Sequence, residues 1–141
     1  MKRIKLSKNF YLDEYIPKEL YKKYINNHPD YLIWLVDKRL VEADQKLRDK
    51  FGSITINNWF NGGDRQWSGI RTPDSKYYSY TSQHAWGRAS DKIFSHATSD
   101  EVREYIKKNW QELGITAIED KVSWVHSDVR FILNQKKLNI F

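Results

Sequence analysis

Ser82-Gln83-His84-Ala85-Trp86-Gly87-Arg88-Ala89-Ser90-Asp91 is the stretch from which the fold is best read. Its second half continues into Lys92-Ile93-Phe94, and from Ala89 to Phe94 the residues alternate as they do along a β-strand. Its first half must turn, and Gly87 permits a tight turn that a residue with a side chain resists. A histidine and an aspartate, seven positions apart, thus flank a glycine turn that can return Asp91 to His84. Ala89 is small, so a neighbouring backbone or a metal ion can come close.

Upstream, Lys18 to Asn26 reads as a short helix with Pro17 at its first turn. From Tyr31 to Lys50, Leu32, Leu35, Val36, Leu40, Ala43 and Leu47 recur at three- and four-residue steps. That spacing predicts one helical face, with Asp30 as N-cap and Gly52 as the stop. Ser53 to Trp59 reads as a strand, Asn61-Gly62-Gly63-Asp64 as a turn, and Arg65 to Thr81 as a polar, aromatic region with a loop at Pro73-Asp74-Ser75. Downstream, a helix starts in Thr98-Ser99-Asp100-Glu101, runs to about Leu113 and stops at Gly114. Ile115–Ile118 and Ser123–Leu133 are strand-like. Helices come first, strands cluster later, and no regular βαβ rhythm connects them. The expected class is α+β, with helices on one face of a mostly antiparallel sheet. No repeat, low-complexity tract or linker divides residues 1–141, so a single domain is expected.

Composition removes several chemistries. With no cysteine among 141 residues there are no disulfides, thiolate zinc sites, iron–sulfur clusters or cysteine nucleophiles. No apolar run of about 18 residues exists, so no membrane span is expected. Twenty-four basic against 18 acidic residues give a net charge of +6, which draws a protein toward polyanions such as nucleic acid, anionic lipid or bacterial wall polymers. No nucleic-acid-binding motif accompanies the charge, and no nucleic-acid partner is expected. Met1-Lys2-Arg3-Ile4-Lys5-Leu6 is basic, but no apolar core follows it, so it does not read as a signal peptide.

Among four histidines, His84 and His126 keep unusual company. His126 lies in the strand-like Trp124-Val125-His126-Ser127-Asp128-Val129-Arg130. With Asp91, the two histidines form a possible tripod of nitrogen and carboxylate donors, which suits zinc and leaves a fourth position open. Asp128, two residues after His126, shares its strand face. It is either an acceptor that orients His126 or a partner of Arg130. His28, before Pro29, reads as a turn residue, and His96 as an exposed loop residue. Trp67, Tyr77, Tyr78, Tyr80 and Trp86 either wall a groove or pack the core and its lid.

The pattern Ser-x-His-x-x-Gly-x-Ala-x-Asp, followed by aromatic-x-His on a strand, resembles the zinc peptidases of peptidoglycan. These include D-Ala-D-Ala carboxypeptidases, the vancomycin-resistance dipeptidase and phage L-alanyl-D-glutamate endolysins, together with the zinc-binding amino domain of hedgehog proteins. Ser82, His84, Gly87, Ala89 and Asp91 match. So do Leu6-Ser7-Lys8-Asn9-Phe10-Tyr11-Leu12-Asp13-Glu14 and Leu47-Arg48-Asp49-Lys50-Phe51-Gly52. Ser68-Gly69-Ile70-Arg71-Thr72 matches with Ile in an aromatic place. The resemblance covers almost the whole chain in order. It implies a zinc site in a groove, held by His84, Asp91 and His126, and hydrolysis of stem-peptide bonds at or beside D-amino acids, in carboxypeptidase or endolysin mode. Arg71 would bind a substrate carboxylate or polarise a carbonyl. Ser82, Asp128 and Trp86 would support the ligands or the substrate. The partner would be a peptidoglycan stem peptide, and the protein a monomer. It would be of phage or prophage origin, either cytoplasmic until release or virion-associated, acting on the cell wall.

One departure bears on catalysis. Several catalytic members carry Glu-x-x-His, where the Glu is the general base, and the equivalent residue here is Ser123. Serine cannot take a proton from activated water at neutral pH. Glu119 and Asp120 are the substitutes, Asp120 because its spacing to His126 resembles that of the zinc-site glutamate in hedgehog domains and Glu119 by its longer reach. Asp128 is a third. The alternative is a non-catalytic zinc-binding structural or wall-binding domain that has lost its base.

Overall fold

The alternation at Ala89–Phe94 becomes the longest strand, and the rest of the molecule is arranged around it. The computed structural model describes residues 1–141. In chain order the elements are α1 (Lys18–Tyr24), α2 (Pro29–Ile33), α3 (Lys38–Phe51), β1 (Ile54–Thr55), β2 (Ala89–Phe94), α4 (Ser99–Leu113), β3 (Ala117–Ile118), β4 (Val125–Asp128) and β5 (Asn139–Ile140). Short 3-10 turns lie at Leu12–Glu14, Trp59–Asn61 and Gln83–Trp86. This is α+β, with four helices and one five-stranded sheet in the order β1-β2-β4-β3-β5. Three of its pairs are antiparallel, but β3 and β5 run parallel, so the sheet is mixed.

Register decides what faces what. Asp91 stands opposite His126, Ala89 opposite Asp128, and Ile118 opposite Ser127. Side chains alternate along each strand, so Ser90, Lys92 and Phe94 turn to the other face. There Phe94 meets Phe51 of α3 edge-on, at 5.8 Å between ring centres. α3 and α4 cover this face with Leu40, Val41, Ala43, Leu47, Val102 and Ile106 against Ile118 and Val125. A second apolar cluster joins Leu12, Ile16, Tyr21, Ile25, Leu32, Trp59 and Ile70, and packs the amino-terminal helices beside the sheet.

The single helix expected over Tyr31–Lys50 is two helices. It breaks between Ile33 and Lys38, where Asp37 becomes the N-cap of α3 and its carboxylate accepts from the Arg39 amide at 2.9 Å. The break lets the chain come against the Gly87 turn, and the Asp37 amide donates to the Gly87 carbonyl at 3.0 Å. At α4, Thr98 caps the helix, accepting from the Glu101 amide, and Gly114 ends it. The strands expected at Ser53–Trp59, Ile115–Ile118 and Ser123–Leu133 are present but shorter, and β5 was not foreseen.

Candidate metal centre

Three elements bring the donors together. His84 rides on the Gln83–Trp86 turn, whose N-cap Ser82 accepts from the His84 amide at 3.3 Å. Gly87 closes that turn with φ +68°, and a Cβ there would run into the Leu35 carbonyl. Glycine is therefore required twice, for its backbone angle and for the close approach. β2 supplies Asp91 and β4 supplies His126, paired across the sheet. All three side chains are buried, and one donor atom from each lies within 4.8 Å of the others.

Outer hydrogen bonds fix the imidazoles. His84 Nδ1 lies 2.7 Å from the Gly69 carbonyl, an acceptor only, so Nδ1 carries the proton and the Nε2 lone pair points at Asp91 Oδ1, 3.3 Å away. His126 Nε2 lies 2.8 Å from Asp128 Oδ2, which leaves Nδ1 facing the same Asp91 Oδ1 at 3.0 Å. Arg130 in turn grips Asp128 through both nitrogens of its fork, at 2.8 and 2.6 Å. Asp128 therefore both orients His126 and pairs with Arg130. The other Asp91 oxygen, Oδ2, accepts from Arg71 Nη2 at 2.8 Å, while Arg71 Nε donates to the Trp67 carbonyl.

The charges follow from these contacts. Burial lowers the His84 pKa and keeps the ring neutral, outweighing Asp91. For His126, burial is overcome by hydrogen bonds to Asp128 and Asp91, and its pKa is raised. Burial alone would raise the Asp91 carboxyl, but above all the hydrogen bond from His126 holds it well below the usual carboxylate range. A neutral His84 thus aims a lone pair at a carboxylate oxygen, acceptor against acceptor, in a buried place. A cation between them resolves that opposition. Two nitrogens and a carboxylate, each with its outer atom already hydrogen-bonded, are a donor set that can hold a metal ion.

The centre opens into a cleft of about 720 Å³, walled by Trp67, Arg71, Tyr77, Trp124, Arg130 and Phe141. Ser82 and Glu119 also line it. Glu119 follows β3, and its amide donates to the His126 carbonyl at 3.3 Å. Extending the Ile118–Ser127 register by one residue puts Glu119 in the same cross-strand row as Asp91 and His126. Asp120 alternates away, toward Arg103 at 3.9 Å. Ser123 is exposed, with its carbonyl accepting from Ser99. Trp86 stands outside the cleft wall, 57% exposed, and donates to the Tyr80 carbonyl. His28 stacks on Tyr31, and His96 lies beside Gly52; neither lines the cleft.

Sequence reasoning missed two participants. The Gly69 carbonyl that fixes His84 is a backbone group, and no side-chain pattern marks it. Phe141 meets His126 edge-on at 5.4 Å, delivered by the unforeseen β5. No protein-family model, curated protein or solved structure matches this chain. No helix is long and apolar enough to cross a membrane.

Proposed function

We propose that the protein is a zinc-dependent metallopeptidase of the class its motifs resemble, hydrolysing peptidoglycan stem-peptide bonds at or beside D-amino acids. The observation that carries this reading is the His84–Asp91–His126 donor set, its inner atoms facing one another at the floor of an open cleft. Zinc is favoured because two imidazole nitrogens and a carboxylate, with a further position open toward the cleft, are the donors it commonly takes. When bound, zinc would supply Lewis acidity, polarising a carbonyl and making water a nucleophile at neutral pH.

The chain's own residues do the rest. Glu119, in the ligand row and in the cleft wall, accepts a proton from the attacking water and returns it to the leaving amine. Arg71 holds the second oxygen of Asp91, which fixes the carboxylate, and its guanidinium edge toward the cleft meets negative charge on substrate. Trp67, Tyr77 and Phe141 give an extended peptide apolar surface on which to lie. The net charge of +6 favours an anionic wall.

Ser123, exposed and without a carboxylate, supports a second reading: a zinc domain that binds wall without cutting it. Digestion of purified cell wall, with and without chelator, separates the two. The enzyme releases new amino termini that chelator abolishes. Glu119→Gln should cut this release about 100-fold or more with metal content unchanged, and Asp120→Asn should leave it near wild type. Binding to wall with no release at all would favour the second reading.

A further inference from the structure

Beneath β2, on the face away from the cleft, four polar side chains meet inside the apolar layer. Lys92 and Asp44 are both fully buried, with Nζ 3.1 Å from Oδ1. Lys92 Nζ also donates to the Ser90 carbonyl and hydroxyl, at 3.0 and 2.7 Å. The Ser90 and Tyr15 hydroxyls both donate to Asp44 Oδ2, at 2.8 and 2.9 Å. Tyr15 belongs to the same buried apolar cluster as Leu40, Ala43 and Leu47 of α3. Such a buried ion pair is a poor way to stabilise a fold, since apolar residues of like volume often do as well or better. What it supplies is a fixed geometry, because ions and hydroxyls accept only a few arrangements.

We propose that Tyr15, Asp44, Ser90 and Lys92 are positioning residues that hold the His84–Asp91–His126 donor atoms in place before metal arrives. The inference rests on reading that trio as a metal centre. Two paths lead from the network to it. Asp91 sits between Ser90 and Lys92, and both neighbours are tied to Asp44 on α3. Lys92 folds back on the Ser90 carbonyl, so the backbone on either side of Asp91 is clamped from below. The second path runs through Tyr15. Its hydroxyl is held by Asp44, while its carbonyl accepts from the Ile70 amide at 2.8 Å. The adjoining Gly69 lies so close that a Cβ would strike the Tyr15 backbone. The Gly69 carbonyl is the acceptor that sets the His84 ring. His126 follows because it is paired to Asp91 across the sheet.

The test uses the full chain and cobalt(II), whose visible absorption reports ligand geometry, with affinity measured by competition against a chromophoric chelator. In Asp44→Leu/Lys92→Met both charges go together, so neither is left buried and alone. This double variant and Tyr15→Phe should keep their folded circular-dichroism spectra. Each should bind cobalt more weakly, about 10-fold or more for the double variant, within the range seen when outer partners of metal ligands are lost. Their absorption bands should also shift. A purely packing role would move melting temperature alone. Wild-type affinity and bands in a folded double variant would overturn the proposal. Should the double variant fail to fold, wild-type affinity and bands in Tyr15→Phe would overturn it. If the wild-type chain itself binds no cobalt, the reading of the centre fails and this inference falls with it. Tight wild-type binding with unchanged variants sinks this inference alone.

Discussion

His84 and His126 each commit one ring nitrogen to an outer acceptor, Gly69 O and Asp128 Oδ2, and present the other to Asp91. The motif showed which residues would meet; which nitrogen faces inward required the folded partners. Which of Glu119 and Asp120 faces the cleft likewise turns on strand alternation, which spacing along the chain does not reveal. Away from the centre, Glu14 offers a separate test. Burial pushes its carboxyl up from 4.5 to about 7, against a lowering hydrogen bond from the Tyr11 amide. The folded state then holds this proton more tightly than the unfolded chain. The resulting stability is fully present below the unfolded value and is lost as pH rises toward and through about 7. Glu14→Gln can still accept from Tyr11 but has no charge to bury. It should unfold with about 1–3 kcal/mol more difficulty than wild type at pH 8, and with little difference near pH 4. Denaturant melts at both values check this, and equal stability of the two proteins at pH 8 would contradict it.

At the scale of elements, the Gly87 turn joins fold to site. It sets the path from His84 to Asp91, and it accepts the broken end of the α2–α3 segment. Gly87→Ala must strain a positive φ and push a methyl into the Leu35 carbonyl. It should cost about 2–4 kcal/mol, read as a fall in denaturation midpoint, and a change below about 0.5 kcal/mol, typical of a neutral surface site, would refute the close packing. Much at this scale was legible. Ala89–Phe94 and the α4 helix up to Gly114 emerged with the bounds their patterns implied, because alternation, cap and stop residue agreed. The helix across Tyr31–Lys50 did not, because Leu35 and Val36 fit its apolar stripe while the Gly87 contact pulls their backbone out of it. β5 was invisible because two exposed residues carry no period, and only pairing with β3 makes them a strand. The pairing of Asp44 with Lys92 leaves no mark in the sequence, since each buried charge is explained only by the other.

For the whole molecule, the sheet has one sealed face and one face open to a cleft. α3 and α4 seal the first with the larger apolar cluster, while the second bears Asp91, His126 and Asp128 beside an open cleft. The central claim is that the trio at its floor is a zinc centre. Elemental analysis of protein purified without chelator tests this most directly, alongside His84→Ala prepared the same way. The wild type should carry about one zinc per chain, as a three-ligand site with an open position does, and the folded variant should carry almost none. A folded wild type free of zinc, or a His84→Ala protein that keeps its full complement, would contradict the account.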